Sequence, residues 1–237
     1  MIEKTPLYPN TFYHIFNHAV GFDDLFKNQG NFYYFLEKYE KHIPPIAHTF
    51  AYCLMPNHLH LVLRIREVDE LLDYFAAKTK NPAIGEPILS KELDLESMDF
   101  FEEKLSMEAQ VPPLSWGKLL YYISKQFGNL FSAYAQAFNK QQERRGNLFI
   151  SNFERVEIDS LQYLKNAILY NHFNPVHHGF TSTPSEWPHS SFNALLDAEP
   201  SNFLCKRELL ALFDGKEGFI KAHQERLNWK EPPPFFM

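Results

Sequence analysis

Two histidines set two residues apart, His58 and His60, stand in the stretch His58-Leu59-His60-Leu61-Val62-Leu63-Arg64-Ile65, and that spacing can build a metal site. Side chains on a strand alternate between faces. His58, His60, Val62 and Arg64 therefore share one side, while Leu59, Leu61, Leu63 and Ile65 make an apolar stripe on the other. Two imidazoles on one face lie ~7 Å apart at Cα and can converge on a single cation. An isolated His-x-His is more often a pair of partly exposed surface histidines, so the spacing alone decides little. A second constellation is LQYLKNAILYNHFNPVHHGF, residues 161–180. Leu161, Leu164 and Ile168 supply a helical apolar stripe, and Tyr163, Asn166, Tyr170 and Asn174 follow one another at intervals of three, four and four on another face. A tyrosine with an amide one turn later can aim a phenol and an amide oxygen at one spot. Taken alone, Tyr170 reads more simply as an interfacial aromatic in a chain that is 16% aromatic.

Other candidates are weaker. His172, His177, His178 and His189 have no recognised ligand spacing and read as solvated histidines. Tyr121, Tyr122, Lys125, Phe127 and Phe131 mix aromatic and basic groups that could stack bases, but their helical spacing puts most of them in a core, with Lys125 outside. Arg144 and Arg145 beside Gly146 sit in a turn from which they can reach phosphates. The net charge of -6 argues against a polyanionic partner, yet the acidity is local. Residues 86–108 hold eight acids against Lys91 and Lys104, whereas 118–155 holds Lys118, Lys125, Lys140, Arg144, Arg145 and Arg155 against Glu143 and Glu154. No apolar run is long enough for a membrane span, and the start MIEKTPLYPN lacks a signal-peptide pattern, so a cytoplasmic protein with no membrane partner is expected. Cys53 and Cys205 are too few for a disulfide framework or a cysteine-based zinc site and are expected to be reduced thiols.

Positioning these groups takes a sheet and several helices. Residues 12–17 read as a strand, 29–43 as a helix ended by Pro44 and Pro45, and 47–54 as a second strand. Met55-Pro56-Asn57 is a turn into the third strand, His58 to Ile65. Residues 67–113 form an acidic insertion of helical pieces and loop, broken by Asn81-Pro82, Glu86-Pro87 and Pro112-Pro113. From Trp116 to about Gln141 the spacing is helical, with Leu120, Ile123, Phe127, Leu130, Phe131, Tyr134 and Phe138 on one broad face. A strand from Leu148 to Ile158 follows. Asp159 or Ser160 then caps a helix expected to stop near Asn174, because Pro175 disfavours helical geometry in the residue before it. Two short helical patterns, Lys206 to Phe213 and Gly218 to Leu227, precede Pro232-Pro233-Pro234. This order predicts an α+β chain, a ferredoxin-like split βαβ with an antiparallel sheet, plus an extra helix carrying Tyr170 and the acidic helical insertion.

Five separated motifs then come in one order. They are Tyr13-His14-Ile15-Phe16-Asn17; Met55-Pro56-Asn57-His58-Leu59-His60-Leu61; Gly146-Asn147-Leu148-Phe149; Tyr170 followed by Asn174-Pro175-Val176 and Gly179-Phe180; and Trp187 with Ser190-Ser191-Phe192. Together, over about residues 10–195, they resemble the single-tyrosine HUH transposases, above all the REP-associated tyrosine transposases. The resemblance implies a domain over 1–195 followed by a helical tail over 196–237. It implies a divalent cation, Mg²⁺ or Mn²⁺, held by His58 and His60, with Asn174 where relatives put an amide that helps hold the metal. Tyr170 matches the nucleophile, acting on single-stranded or hairpin DNA through a 5′-phosphotyrosine, as in transposition of a mobile or repeat element. Lys125, Arg144, Arg145 and Arg155 are then the expected DNA contacts, and the insertion, with its excess of acids, is expected to be peripheral. His18 departs from the Arg that relatives often show there. A domesticated, non-catalytic binder of structured nucleic acid is the rival reading, and assembly of the site in cis or across a homodimer is left open.

Overall fold

A computed structural model describes residues 5–79 and 113–227. Four strands, β1 (Phe12–His18), β2 (Ala47–Met55), β3 (His58–Ile65) and β4 (Glu154–Ile158), form one sheet in the order β2-β3-β1-β4, with every neighbouring pair antiparallel. The helices are α1 (Gln29–His42), α2 (Val68–Thr79), α3 (Pro113–Gln141), α4 (Leu161–His177), α5 (Ser191–Leu196), α6 (Lys206–Leu212) and α7 (Lys216–Leu227), with a 3₁₀ turn at Pro184–Glu186. Strand order and connections are those of the expected ferredoxin-like split βαβ. The bulk of the acidic insertion, including Glu92, Asp94 and Glu96, lies outside the described residues.

Register explains the two faces of the sheet. In the β1–β3 pair, Tyr13 sits opposite Leu63, Ile15 opposite Leu61 and Asn17 opposite Leu59. That face is covered by α1 and α3, which place Phe35, Tyr39, Ile123, Phe127, Leu130 and Tyr134 in one buried cluster with it. Tyr39 Oη lies 2.7 Å from Thr49 Oγ1, which fixes α1 over β2. Asn28 caps α1 by accepting from Asn31 N, and the helix ends one residue earlier than expected because Ile43 serves as its C-cap before Pro44. The opposite face pairs His18 with His58, Phe16 with His60, His14 with Val62 and Phe12 with Arg64.

Three expectations need correction. The strand predicted from Leu148 is regular only from Glu154 to Ile158. Leu148 and Phe149 are both buried, which breaks alternation, and Asn152 takes a left-handed φ of 64°, a conformation asparagine tolerates better than most residues. This segment instead makes irregular contacts with the end of β1, Val20 N donating to Leu148 O and Ile150 N to His18 O. The second correction concerns α4, which runs through Pro175 to His177. Proline in the last turn removes one intrahelical N–H, and the helix is closed beyond it by His178 N donating to Asn174 O and Gly179 N to Val176 O, with Gly179 at φ 72°. The N-cap is Ser160, whose side chain accepts from Tyr163 N. Third, β3 is buried along its whole length, so His58 and His60 are not surface groups.

The described part of the tail joins the same core through Leu204, Leu209, Leu212, Phe213 and Phe219. Together with residues 189–190 it also covers the outer edge of β2: Leu54 N donates to His189 O and Cys205 N to Thr49 O. Such cover protects an edge strand from pairing with another chain. Gly218 is required where α7 turns back, because a Cβ there would lie 1.7 Å from Phe213 O.

Candidate functional site

Helix α4 lies over the histidine face and carries Tyr170 and Asn174 to it. Asn174 Oδ1 is 2.8 Å from His58 Nε2, and the Tyr170 ring stands edge-on to His60 at 5.6 Å and to His14 at 6.0 Å between centroids. His58 and His60 are themselves 5.1 Å apart with perpendicular rings. The phenol and both histidines of the HUH spacing therefore meet within one chain. The pair at the floor is almost closed to solvent, 3% exposed at His58 and 6% at His60, whereas Tyr170 is half-buried and His18, His177 and His178 form an exposed rim. The rim rings approach the site: His178 lies 4.9 Å from His58, His18 4.9 Å from His58, and His177 5.7 Å from Tyr170.

Burial sets the charge of this cluster. His58 is pushed down to about 4, first by desolvation and further by neighbouring His18 and His178, with the Asn174 contact opposing the shift. His60 lies well below its ordinary value for the same first reason, reinforced by His14 and His58, and desolvation takes His14 down to about 3. Near neutral pH these rings are uncharged and offer lone pairs, the form in which histidine binds metals. Tyr170 moves the other way, since burial raises its phenol and the neighbouring Asn174 amide only partly offsets this.

The hydrogen bonds at His58 bear on a cation. The neutral ring has one proton for two oxygen neighbours, Asn57 Oδ1 at 2.8 Å from Nδ1 and Asn174 Oδ1 at 2.8 Å from Nε2, so one nitrogen donates and the other meets an oxygen lone pair to lone pair. With the proton on Nδ1, the opposed lone pairs are those of Nε2 and Asn174 Oδ1. A positive ion between two such donors resolves the repulsion, and the separation matches the edge of a Mg²⁺ octahedron, about 2.9 Å for bonds of ~2.0–2.1 Å. The residues present thus fit a hard divalent cation with oxygen and imidazole donors. Among the described residues, no group of three or more His, Cys, Asp or Glu side chains is placed to hold one metal, and the candidate donors His58, His60 and Asn174 carry no negative charge.

The basic residues lie elsewhere. Arg144 is engaged by Asp23 Oδ2 at 2.7 Å, Asn139 Oδ1 at 2.6 Å and Asn147 O at 3.1 Å, which ties the turn down rather than leaving the free arm the sequence suggests. Arg145 is exposed in the same turn, and exposed Lys125 sits 5.5 Å over the Tyr121 ring. Arg155 stacks on Phe153 at 4.1 Å, hydrogen-bonds Ser124 Oγ and lines a groove of 510 Å³ between α3 and residues 146–153. Sequence reading gave His14 no role, noted His18 only as a departure from the Arg of relatives, and read His177 and His178 as solvated. The signal for His14 and His18 was their separation of four on β1, which puts both on one face, but only the register with β3 shows which face. His172, read as solvated, is fully buried, between His223 Nε2 at 3.0 Å and Ser191 Oγ at 2.8 Å.

No protein-family model matches the chain. A putative REP-associated tyrosine transposase of Haemophilus influenzae (strain ATCC 51907 / DSM 11121 / KW20 / Rd) is 24% identical over 153 residues, which cover 64% of this chain and 62% of that protein. The match thus spans about three fifths of the relative's length, and its name is that of the family the motifs resemble. A solved structure of a REP-associated tyrosine transposase bound to a REP hairpin aligns with 86% of this chain and 91% of its own at 13% identity and a TM-score of 0.47. Strand order and connections, not that superposition, carry the fold assignment. No helix of the described residues is long and apolar enough to cross a membrane.

Proposed function

We propose that this chain, similar in sequence to a REP-associated tyrosine transposase, cleaves and rejoins single-stranded DNA with Tyr170 as the nucleophile. The observation that carries the reading is the meeting of Tyr170, His58, His60 and Asn174 at one half-open site. In the cleavage step the Tyr170 oxygen bonds to phosphorus as the bond from phosphorus to the 3′ oxygen breaks. The products are a 5′-phosphotyrosine and a free 3′ hydroxyl: the phenol proton leaves to solvent by way of His177, the rim ring 5.7 Å from Tyr170, and water protonates the departing 3′ oxygen. The covalent link conserves the phosphodiester, so a 3′ hydroxyl from another strand can reverse the step without a nucleotide cofactor. A phenol with a pKa of ~10 is a poor nucleophile, and here burial makes it poorer until its surroundings gain positive charge. His58, His60 and Asn174 would hold Mg²⁺ or Mn²⁺, which supplies that charge and stabilises the crowded phosphoryl oxygens. Asn174 bears on both ends of the site, facing His58 through Oδ1 and partly offsetting the rise that burial gives the Tyr170 phenol. The half-burial of Tyr170 suits a flexible strand, which can bend its phosphate into the cleft where a duplex cannot.

Lys125, Arg145 and Arg155 are the proposed backbone contacts outside the cleft, with Arg144 holding the turn that presents Arg145. The test is a cleavage assay on end-labelled single-stranded hairpin libraries with Mn²⁺, Mg²⁺ or EDTA. Metal-dependent cleavage by the wild type, abolished in His58→Ala, supports the reading. Retention of the hairpins without cleavage under every metal condition would instead favour a binding-only protein.

A further inference from the structure

We propose that His14 is a positioning residue for the cation site, whose hydrogen bond to His60 selects the imidazole tautomer in which His60 can act as a ligand. The proposal rests on the reading of His58, His60 and Asn174 as the cation's holders. His14 is buried on β1, and its Nε2 lies 3.0 Å from His60 Nδ1. A hydrogen bond between two imidazole nitrogens holds a single proton, so one ring donates and the other accepts. Two arrangements exist. If His60 donates from Nδ1, its Nε2 keeps a lone pair and His14 carries its own proton on Nδ1. If His14 donates from Nε2, the neutral His60 ring carries its proton on Nε2 and has no lone pair left for a cation. His60 Nδ1 is occupied in both cases, which leaves Nε2 as the one nitrogen this residue can offer. Only the first arrangement makes a metal site.

Metal-binding histidines commonly donate their second N–H to a carboxylate or a backbone carbonyl. Here an imidazole takes that place, and its setting is fixed by packing: the His14 ring lies 5.3 Å from Phe16 and 6.0 Å from Tyr170. His14→Phe keeps a ring of similar size there and removes the acceptor. His14→Gln restores an acceptor through its amide oxygen.

The experiment measures Mn²⁺ affinity of the full chain without DNA, by calorimetry, for wild type, His14→Phe and His14→Gln. Thermal unfolding serves as the control for folding, and histidine ¹⁵N spectra of the Mg²⁺-loaded wild type report which nitrogen of His60 is protonated. The expected result is a 10- to 100-fold weaker affinity in His14→Phe, of the size that loss of such a partner typically causes. Recovery to within several-fold in His14→Gln and an Nδ1-protonated His60 complete it. Wild-type affinity in a folded His14→Phe, or a proton on His60 Nε2, overturns the role of His14 while leaving the cation site standing. A wild type that binds no Mn²⁺ overturns the cation site itself, and this inference with it. Should His14→Phe fail to fold, the ¹⁵N assignment decides.

Discussion

Lowering the pH from 7.5 to 5.5 should cost this protein much of its stability. Five histidines, His14, His58, His60, His172 and His223, are buried, and burial lowers the pKa of each. Their folded values lie below the unfolded one, so between these limits the unfolded chain binds protons that the folded chain does not, and stability falls as pH falls. The contribution is intact above an unfolded pKa of ~6.5, erodes below it and levels off beneath the folded values. For His14, at about 3, and for His58 and His223, each at about 4, the window runs from about 6.5 down to 4 or lower. At pH 5.5 each such histidine forfeits on the order of 1 kcal/mol, so these three remove roughly 3–4 kcal/mol, with His60 and His172 acting in the same direction. Domains hold only ~5–15 kcal/mol in all. Urea unfolding followed by tryptophan fluorescence, repeated in EDTA at half-unit pH steps, measures the effect. The slope of unfolding free energy against pH near 5.5 should report uptake of about two to three protons or more on unfolding. A slope below about one proton would refute the view that these rings are neutral in the fold.

Three further outcomes follow from named residues. His172→Phe keeps the edge contacts with Phe192 and Phe219 but strands His223 Nε2, while Ser191 Oγ retains Tyr52 N at 2.9 Å, so the expected loss is about 1–3 kcal/mol in urea unfolding. Adding His223→Phe removes the stranded group and should return part of that loss; strictly additive losses would contradict the network. Asn174→Ala takes away the oxygen facing His58 Nε2 and should weaken Mn²⁺ binding measured by calorimetry at least tenfold. Because the three proposed ligands are uncharged, a single-stranded oligonucleotide should tighten Mn²⁺ binding by Tyr170→Phe, and equal affinity with and without DNA would count against a phosphate completing the site.

The sequence exposed patterns that a single element determines. Alternation in β3 separated His58 and His60 from the leucine stripe, helical spacing put Tyr170 and Asn174 on one side of α4, and the apolar face of α3 was visible from Leu120 to Phe138. What depends on two distant segments was not visible. Periodicity tells which face a histidine occupies but not what covers it, so His58 and His60 read as surface groups until α4 was seen to lie over them. His14 enters the site only through the register of β1 against β3, and His172 meets His223 across 51 residues. Arg144 looked like a free arm because its partner, Asp23, is 121 residues away. Pro175 ended the expected helix too early because the turn beyond it is closed by His178 N donating to Asn174 O and Gly179 N to Val176 O.

The central claim is that Tyr170 becomes covalently joined to DNA. The direct measurement is mass spectrometry of the protein after incubation with single-stranded hairpin DNA and Mn²⁺, followed by denaturation, nuclease trimming and peptide mapping. The account predicts a phosphonucleotide mass on the peptide containing Tyr170, absent in Tyr170→Phe and present in Tyr163→Phe. That substitution removes one half-buried hydroxyl, so the fold should lose no more than about 1 kcal/mol. A Tyr170→Phe protein that forms the adduct at the normal rate, or an adduct mapped to another residue, would contradict the account.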